Sequence, residues 1–202
     1  MTAGLGARLG GVVLAGGEGK RMGSVPKAGL QIGRETLLER AVRSLRQGGC
    51  ETIVAILPAG HVELVDLAAR AGVKVLFNPA PLDGMFSSAR IGLTHLLTEH
   101  ADVAVIVIFP VDHPEIQVET ITTLVSAAEE PHAAAVRPSY SGRSGHPLVV
   151  TRALAEELLR VSPAETLREA LTKCGARLDT ISVVDPGVLV NVNTPGDFER
   201  LR

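Results

Sequence analysis

Aromatic side chains are scarce in this 202-residue chain: they make up 2% of it, and tryptophan is absent. The core must therefore be built from Val, Leu, Ile and Ala. A stacking platform for exposed bases is missing as well, which argues against a single-strand nucleic-acid binder. There is no basic excess either. Lys and Arg number 20 against 22 acidic residues, a net charge of −2, so a polyphosphate backbone would go unneutralised and a nucleic-acid partner is disfavoured. Cysteine is limited to Cys50 and Cys174, isolated and without metal-type spacing. Two lone thiols suit a reduced, cytoplasmic protein, with a single disulfide as the alternative. The longest apolar run, 103–109, falls far short of a membrane span, so no membrane partner is expected. Residues 1–10 are too short and glycine-rich to read as a secretory signal.

What is present is the composition of a compact globular protein, 46% hydrophobic and 21% charged, of a length that predicts one domain over 1–202. Short runs rich in Val and Ile alternate with amphipathic segments, the pattern of an α/β fold with a mostly parallel central sheet covered by helices. Strands are expected at 11–15, 52–57, 73–77, 103–109, 133–137, 148–150, 178–184 and 188–190. The run 103–109 is apolar throughout, as a central strand buried on both faces requires. Thr36 opens a helix with Glu39 three residues on, a capping box, and Gly48 and Gly49 stop it. Further helices are expected at 61–71, 88–98, 119–129, 153–159, 166–173 and 195–201, the last with Thr194 as cap and Pro195 at its first position. Two long loops, 16–31 and 138–147, interrupt this alternation, and loops of that length are commonly functional.

The first loop carries the strongest chemical signal. In Leu14–Ala15–Gly16–Gly17–Glu18–Gly19–Lys20–Arg21, continuing to Pro26–Lys27, glycines follow a strand directly and cations share the loop. Amides freed by glycine approach anions closely, and the cations suit a triphosphate. It is not a Walker A loop, which would need glycine at Leu14 and Ser or Thr at Arg21. A dinucleotide fingerprint starting at Gly17 and Gly19 would need its third glycine at Met22. Asp112 follows the buried strand in F-P-V-D-H-P, at the carboxyl end where open parallel sheets bind ligands. A carboxylate facing a triphosphate needs a cation between them, and Mg²⁺ is the usual choice. Asp102, at the opposite end of that strand, reads as structural. Asn191 and Asn193, in N-V-N-T-P, supply amide oxygens that can also serve Mg²⁺. Gly84, Ser87 and Ser88 precede a helix, where free N–H groups and hydroxyls reach a ribose or base edge.

Taken together, L-A-G-G-E-G-K-R-M-G-S-V-P-K, G-M-F-S-S, G-R-S-G-H-P and N-V-N-T-P resemble the ordered motifs of molybdenum-cofactor nucleotidyltransferases. That family has a Rossmann-like, three-layer α/β/α fold of the glycosyltransferase-A type, and the resemblance runs from Val12 to Leu201. It implies that the first loop wraps a triphosphate, with catalytic roles for Arg21 and Lys27 and nucleotide contacts from Leu14, Ala15, Gly16, Gly17, Gly19, Gly84, Ser87 and Ser88. It implies Asp112 and Asn193 as Mg²⁺ ligands, and an acceptor pocket near Arg143, Gly145 and His146. The implied reaction is in-line attack of an acceptor oxygen on the α-phosphorus with pyrophosphate leaving. A phosphate-monoester acceptor would need no general base. L-A-G-G and N-V-N-T-P are similar to the guanylyltransferase branch, which uses GTP. P-K, G-M-F-S-S and G-H-P are similar to the cytidylyltransferase branch, which uses CTP, and Pro26 and Gly17 depart from the first and second branch respectively. A sugar- or polyol-phosphate acceptor, or a non-catalytic nucleotide-binding module, are the rival readings; a nicotinamide dehydrogenase is a more distant one.

Overall fold

The structure is a computed structural model and describes residues 8–17 and 25–202. Its strands are β1 (Arg8–Leu14), β2 (Gln31–Ile32), β3 (Glu35–Thr36), β4 (Cys50–Pro58), β5 (Lys74–Asn78), β6 (Val103–Pro110), β7 (Ala135–Tyr140), β8 (Arg143–Ser144), β9 (Leu148–Thr151) and β10 (Leu178–Ser182). Its helices are α1 (Leu37–Gln47), α2 (Val62–Arg70), α3 (Met85–Glu99), α4 (Val118–Ala128), α5 (Arg152–Arg160), α6 (Leu167–Lys173) and α7 (Pro195–Glu199). The main sheet runs β10-β7-β9-β6-β1-β4-β5, with β8 paired to β7. β5, β4, β1 and β6 are mutually parallel; β9 pairs antiparallel with both β6 and β7, and β10 runs parallel to β7. The mostly parallel α/β sheet expected from the sequence is the one observed.

Alternate side chains along each strand feed two cores, one on each face of the sheet. Val13, Ala55, Val107 and Phe109 pack with Leu38, Leu45, Leu67 and Leu124 under α1, α2 and α4. Val12, Val54, Ile106 and Ile108 pack with Leu93, Leu96, Leu154 and Leu158 under α3, α5 and α6. Val103 joins the second core although Val105 joins the first. The cause is a register shift where Arg8 and Leu9 pair with Val103 and Val105, which steps over Ala104. Such a bulge turns the strand over.

The helix starts follow local chemistry. Thr36 and Glu39 form the expected capping box, as do Thr166 with Glu169 and Thr194 with Asp197. Arg152 donates to the carbonyls of Leu97 and His100, satisfying orphan groups where α3 ends, and to that of Val103 at the start of β6. Both cysteines are free, and burial pushes the Cys50 thiol up to about 12. Among the described residues no helix is long and apolar enough to cross a membrane.

Several expected boundaries move. Residues 188–190 are not a strand: Pro186–Leu189 is a 3-10 turn, with proline at its start and the Asp185 carboxylate accepting the Gly187 N–H. β10 stops at Ser182, leaving Val184 93% exposed. β7 extends through Pro138 to Tyr140, and β8 turns part of the second loop into a hairpin. α3 begins at Met85 rather than Ser88, because Gly84 at φ +85 provides the bend that starts it.

Gly92 sets how closely α3 lies on β1: a Cβ there would stand 2.4 Å from Val12 Cγ1. Gly92→Ala gains about 1 kcal/mol of helix propensity but overpacks the core at a cost of roughly 1–3 kcal/mol. Urea denaturation should show a net loss of stability; a more stable variant would contradict this packing.

Candidate functional site

The central strands end together on one side of the sheet, and the site is built there. Backbone bonds tie these ends: the Ala15 N–H donates to the Ile56 carbonyl and the Val111 N–H to Leu14. Leu14, Ala15, Gly16 and Gly17 then run along a cleft of about 240 Å³ whose other walls are Lys27, Pro81, Gly84, Met85, Ser88, Pro110, Val111 and Asp112. Gly16 has no room for a side chain, since a Cβ would lie 2.7 Å from Ser88 Oγ. Ser88 is itself fixed. Asn78, 1% exposed at the end of β5, donates to Ser87 and Ser88 hydroxyls at 2.8 and 2.9 Å, and its oxygen accepts the Ala80 N–H. The backbone of the first loop thus meets the N-terminus of α3 across a buried hydroxyl.

Lys27 begins a 3-10 turn, Lys27–Gly29, anchored by the fully buried Ala28. Its ammonium donates to Asp112 Oδ2 at 2.8 Å and to Asn193 Oδ1 at 2.7 Å. The three side chains come from distant parts of the chain. Asp112 lies just beyond β6, and its carbonyl accepts the Val192 N–H at 2.8 Å. That bond sets Val192 into the core and leaves Asn193 facing Asp112, while Asn191 is exposed. Asp197, in the capping box of α7, accepts the Asn193 N–H at 3.1 Å and holds the segment from the other side. Helix capping falls to Thr194, so the Asn193 amide is left for Lys27.

Two hard oxygen donors therefore converge on one cation position. Among the described residues no three His, Cys, Asp or Glu cluster as a metal cage. A cation held by Asp112 and Asn193 would draw most of its shell from ligand oxygens and water, the habit of Mg²⁺ at phosphate sites. The donor set fits that ion.

Beside Asp112 stands a histidine pair that the sequence reading did not anticipate in full. The rings of His113 and His146 lie 4.6 Å apart, and His113 Nε2 is 4.0 Å from Asp112 Oδ1, too long for a hydrogen bond. His113 is 6% exposed and its Nδ1 has no partner among the described residues. Burial first, then the neighbouring His146, pushes its imidazole down to about 4, against the opposing pull of Asp112. Burial lowers His146 too, again opposed by Asp112. The D-H-P string placed His113 next to Asp112, but only the fold brings His146 against it.

Of the residues singled out from sequence, Leu14, Ala15, Gly16, Gly17, Gly84, Ser88, Lys27 and Asp112 share the cleft, and Asn193 joins through Lys27. Ser87 does not line that cleft: its hydroxyl donates to the Gly84 carbonyl, and it borders a neighbouring hollow with Asn78 and Arg90. His146 reaches Asp112 by way of His113, whereas Arg143 is exposed on the β7–β8 hairpin. Gly145 packs against the 3-10 turn at Val188, with its N–H on the Pro138 carbonyl. Gly19 and Arg21 lie outside the described residues. Asp102 pairs with Arg8 at 3.1 Å, at the opposite end of β6 from Asp112.

Comparison with known proteins bears on the family and the fold. The chain is 32% identical over 197 residues to a nicotine blue oxidoreductase of Paenarthrobacter nicotinovorans, covering 95% of each chain. It is also 32% identical to a probable molybdenum cofactor guanylyltransferase of Mycobacterium avium, covering 96% of this chain and 95% of that one. A solved nucleotidyl transferase from Methanothermobacter superposes with a TM-score of 0.80 at 20% identity, over 98% of this chain and 97% of its own, which speaks to the fold. Residues 11–179 match the MobA-like NTP transferase domain, and the chain belongs to that family of nucleotidyltransferases.

Proposed function

We propose that the protein moves a nucleotidyl group from CTP or GTP, bound with Mg²⁺, to a phosphorylated small-molecule acceptor related to the molybdenum cofactor, with release of pyrophosphate. The observation that carries this reading is the convergence of Asp112 Oδ2 and Asn193 Oδ1 on one cation position, 2.8 and 2.7 Å from Lys27 Nζ, at the wall of the Gly16–Gly17 cleft. The kinship with a molybdenum cofactor guanylyltransferase supports the acceptor class.

The residues divide the work by charge and position. The glycine backbone offers amides to phosphate oxygens without side-chain obstruction. Asp112 and Asn193 would hold the metal, which when bound supplies Lewis-acid neutralisation of phosphate charge. Lys27, lining the same cleft, adds a cation for the α-phosphate. An ionised phosphate oxygen of the acceptor forms the new bond to the α-phosphorus as the bond to the β-phosphate oxygen breaks. The leaving pyrophosphate carries off that electron pair. No proton need be abstracted, so positioning and charge stabilisation suffice. His146, backed by His113, borders the acceptor side.

A redox reading is favoured by one observation, the 32% identity to an oxidoreductase. Against a dinucleotide-dependent form of it stands Met22 where a Rossmann fingerprint needs its third glycine.

Pyrophosphate release should appear with CTP or GTP when molybdopterin is supplied, and Asp112→Ala should lower kcat about a hundredfold or more. Release from neither nucleotide, with molybdopterin or with sugar phosphates, would defeat the proposal. Gly16→Ala should raise the nucleotide KM about tenfold, roughly 1.4 kcal/mol, with kcat nearly kept. Adding Ser88→Ala removes the hydroxyl that the new methyl strikes and should return much of the KM. A double variant no better than the single would contradict the contact.

A further inference from the structure

The ammonium of Lys27 sits where the two oxygens of the proposed metal site converge. One residue thereby contacts Asp112 at 2.8 Å, Asn193 at 2.7 Å and the phosphate cleft. A lysine and a divalent ion compete for those oxygens, because two cations a few ångströms apart in a partly buried site repel strongly. Lys27 and Asp112 side chains are 19% and 24% exposed, so water screens the conflict only in part.

We propose that Lys27 is an exchangeable plug of the metal position, so that the protein's substrate is the preformed metal–triphosphate complex rather than the free ion followed by nucleotide. This rests on the reading of Asp112 and Asn193 as the cation site. A free divalent ion arriving alone must evict the ammonium and shed water, a costly step for Mg²⁺. It gains one carboxylate and one amide oxygen in return. The metal–triphosphate complex changes that balance twice. Its phosphates fill the rest of the coordination shell, and their negative charge gives the displaced ammonium a new partner in the same cleft. The local architecture suits such a movement. Ala28, fully buried, fixes the Lys27 backbone on its 3-10 turn, so the flexible four-carbon stem is the part that swings. The exchange gives Lys27 two successive tasks, closing the site to bare divalent ions and then serving the phosphates.

The probe is Mn²⁺, followed by the electron paramagnetic resonance of the free ion, with folding of each variant checked by circular dichroism. Without nucleotide, Lys27→Met should bind Mn²⁺ about tenfold or more tighter than the wild type, the scale expected for removing a close competing cation. Adding Asp112→Asn should erase that gain, and Lys27→Gln, also neutral, should reproduce it. With an α,β-methylene analogue of CTP or GTP, the wild type should take up Mn²⁺ through Asp112. Equal nucleotide-free Mn²⁺ affinity in the wild type and both neutral variants, with nucleotide-dependent uptake intact, would overturn the exchange and leave the metal site standing. Absence of Asp112-dependent Mn²⁺ binding in every arm would remove the site itself, and the exchange with it.

Discussion

The hydrogen bond from the Val192 N–H to the Asp112 carbonyl, 2.8 Å long, is the constraint on which the site depends. β6 delivers Asp112 to the carboxyl edge of the sheet, as parallel strands do. Nothing in β6 delivers a second oxygen. That comes from the far end of the chain, where residue 192 is stitched to residue 112 and Asp197 holds the Asn193 N–H. With Val192 fully buried, the alternation of side chains turns Asn193 back toward the strand end. The buried Ala28 brings Lys27 to the same point from a third direction.

The approach of that last segment is itself tightly specified. Asp185, 2% exposed, accepts the N–H groups of Gln117 and Gly187 and the Thr120 hydroxyl. One carboxylate thus satisfies an orphan N–H at the start of α4 and holds the 3-10 turn against it. The turn lies so close to the loop after Asp112 that a Cβ on Gly187 would fall 2.0 Å from the Glu115 carbonyl oxygen. A Cβ on Gly145 would fall 2.4 Å from that of Val188. Two glycines and a buried acid therefore carry the 138–147 loop, the 186–189 turn and the Asp112 loop as one unit. His146 meets His113 as a consequence.

How much of this the sequence discloses depends on how local the cause is. The central strands are legible because burial on both faces leaves a continuous apolar run, the helix start at Thr36 because Glu39 lies three residues on, and that at Thr194 because Pro195 follows it. Lys27 and Asp112 stood out by their motifs, and Asn193 by its place before Thr-Pro. Residues 188–190 looked like a strand from apolarity alone, yet Pro186 and the Asp185 side chain bend them into a turn. Asn78 and Asp185 are not legible in the sequence because their partners are tertiary: a lone Asn or Asp gives no sign of the groups it will bond. Ser87 and Ser88 are alike in sequence, and only the pitch of α3 puts Ser88 in the cleft and Ser87 beside it.

If Asp112 and Asn193 define one cation position beside a triphosphate cleft, anomalous X-ray scattering from crystals grown with Mn²⁺ and a non-hydrolysable CTP or GTP analogue should reveal it. A manganese peak is expected within coordination distance of Asp112 Oδ2 and Asn193 Oδ1, with phosphate oxygens completing the shell and Lys27 Nζ moved onto the phosphates. A nucleotide bound with its manganese elsewhere, or with Lys27 still bridging the two oxygens, would contradict it.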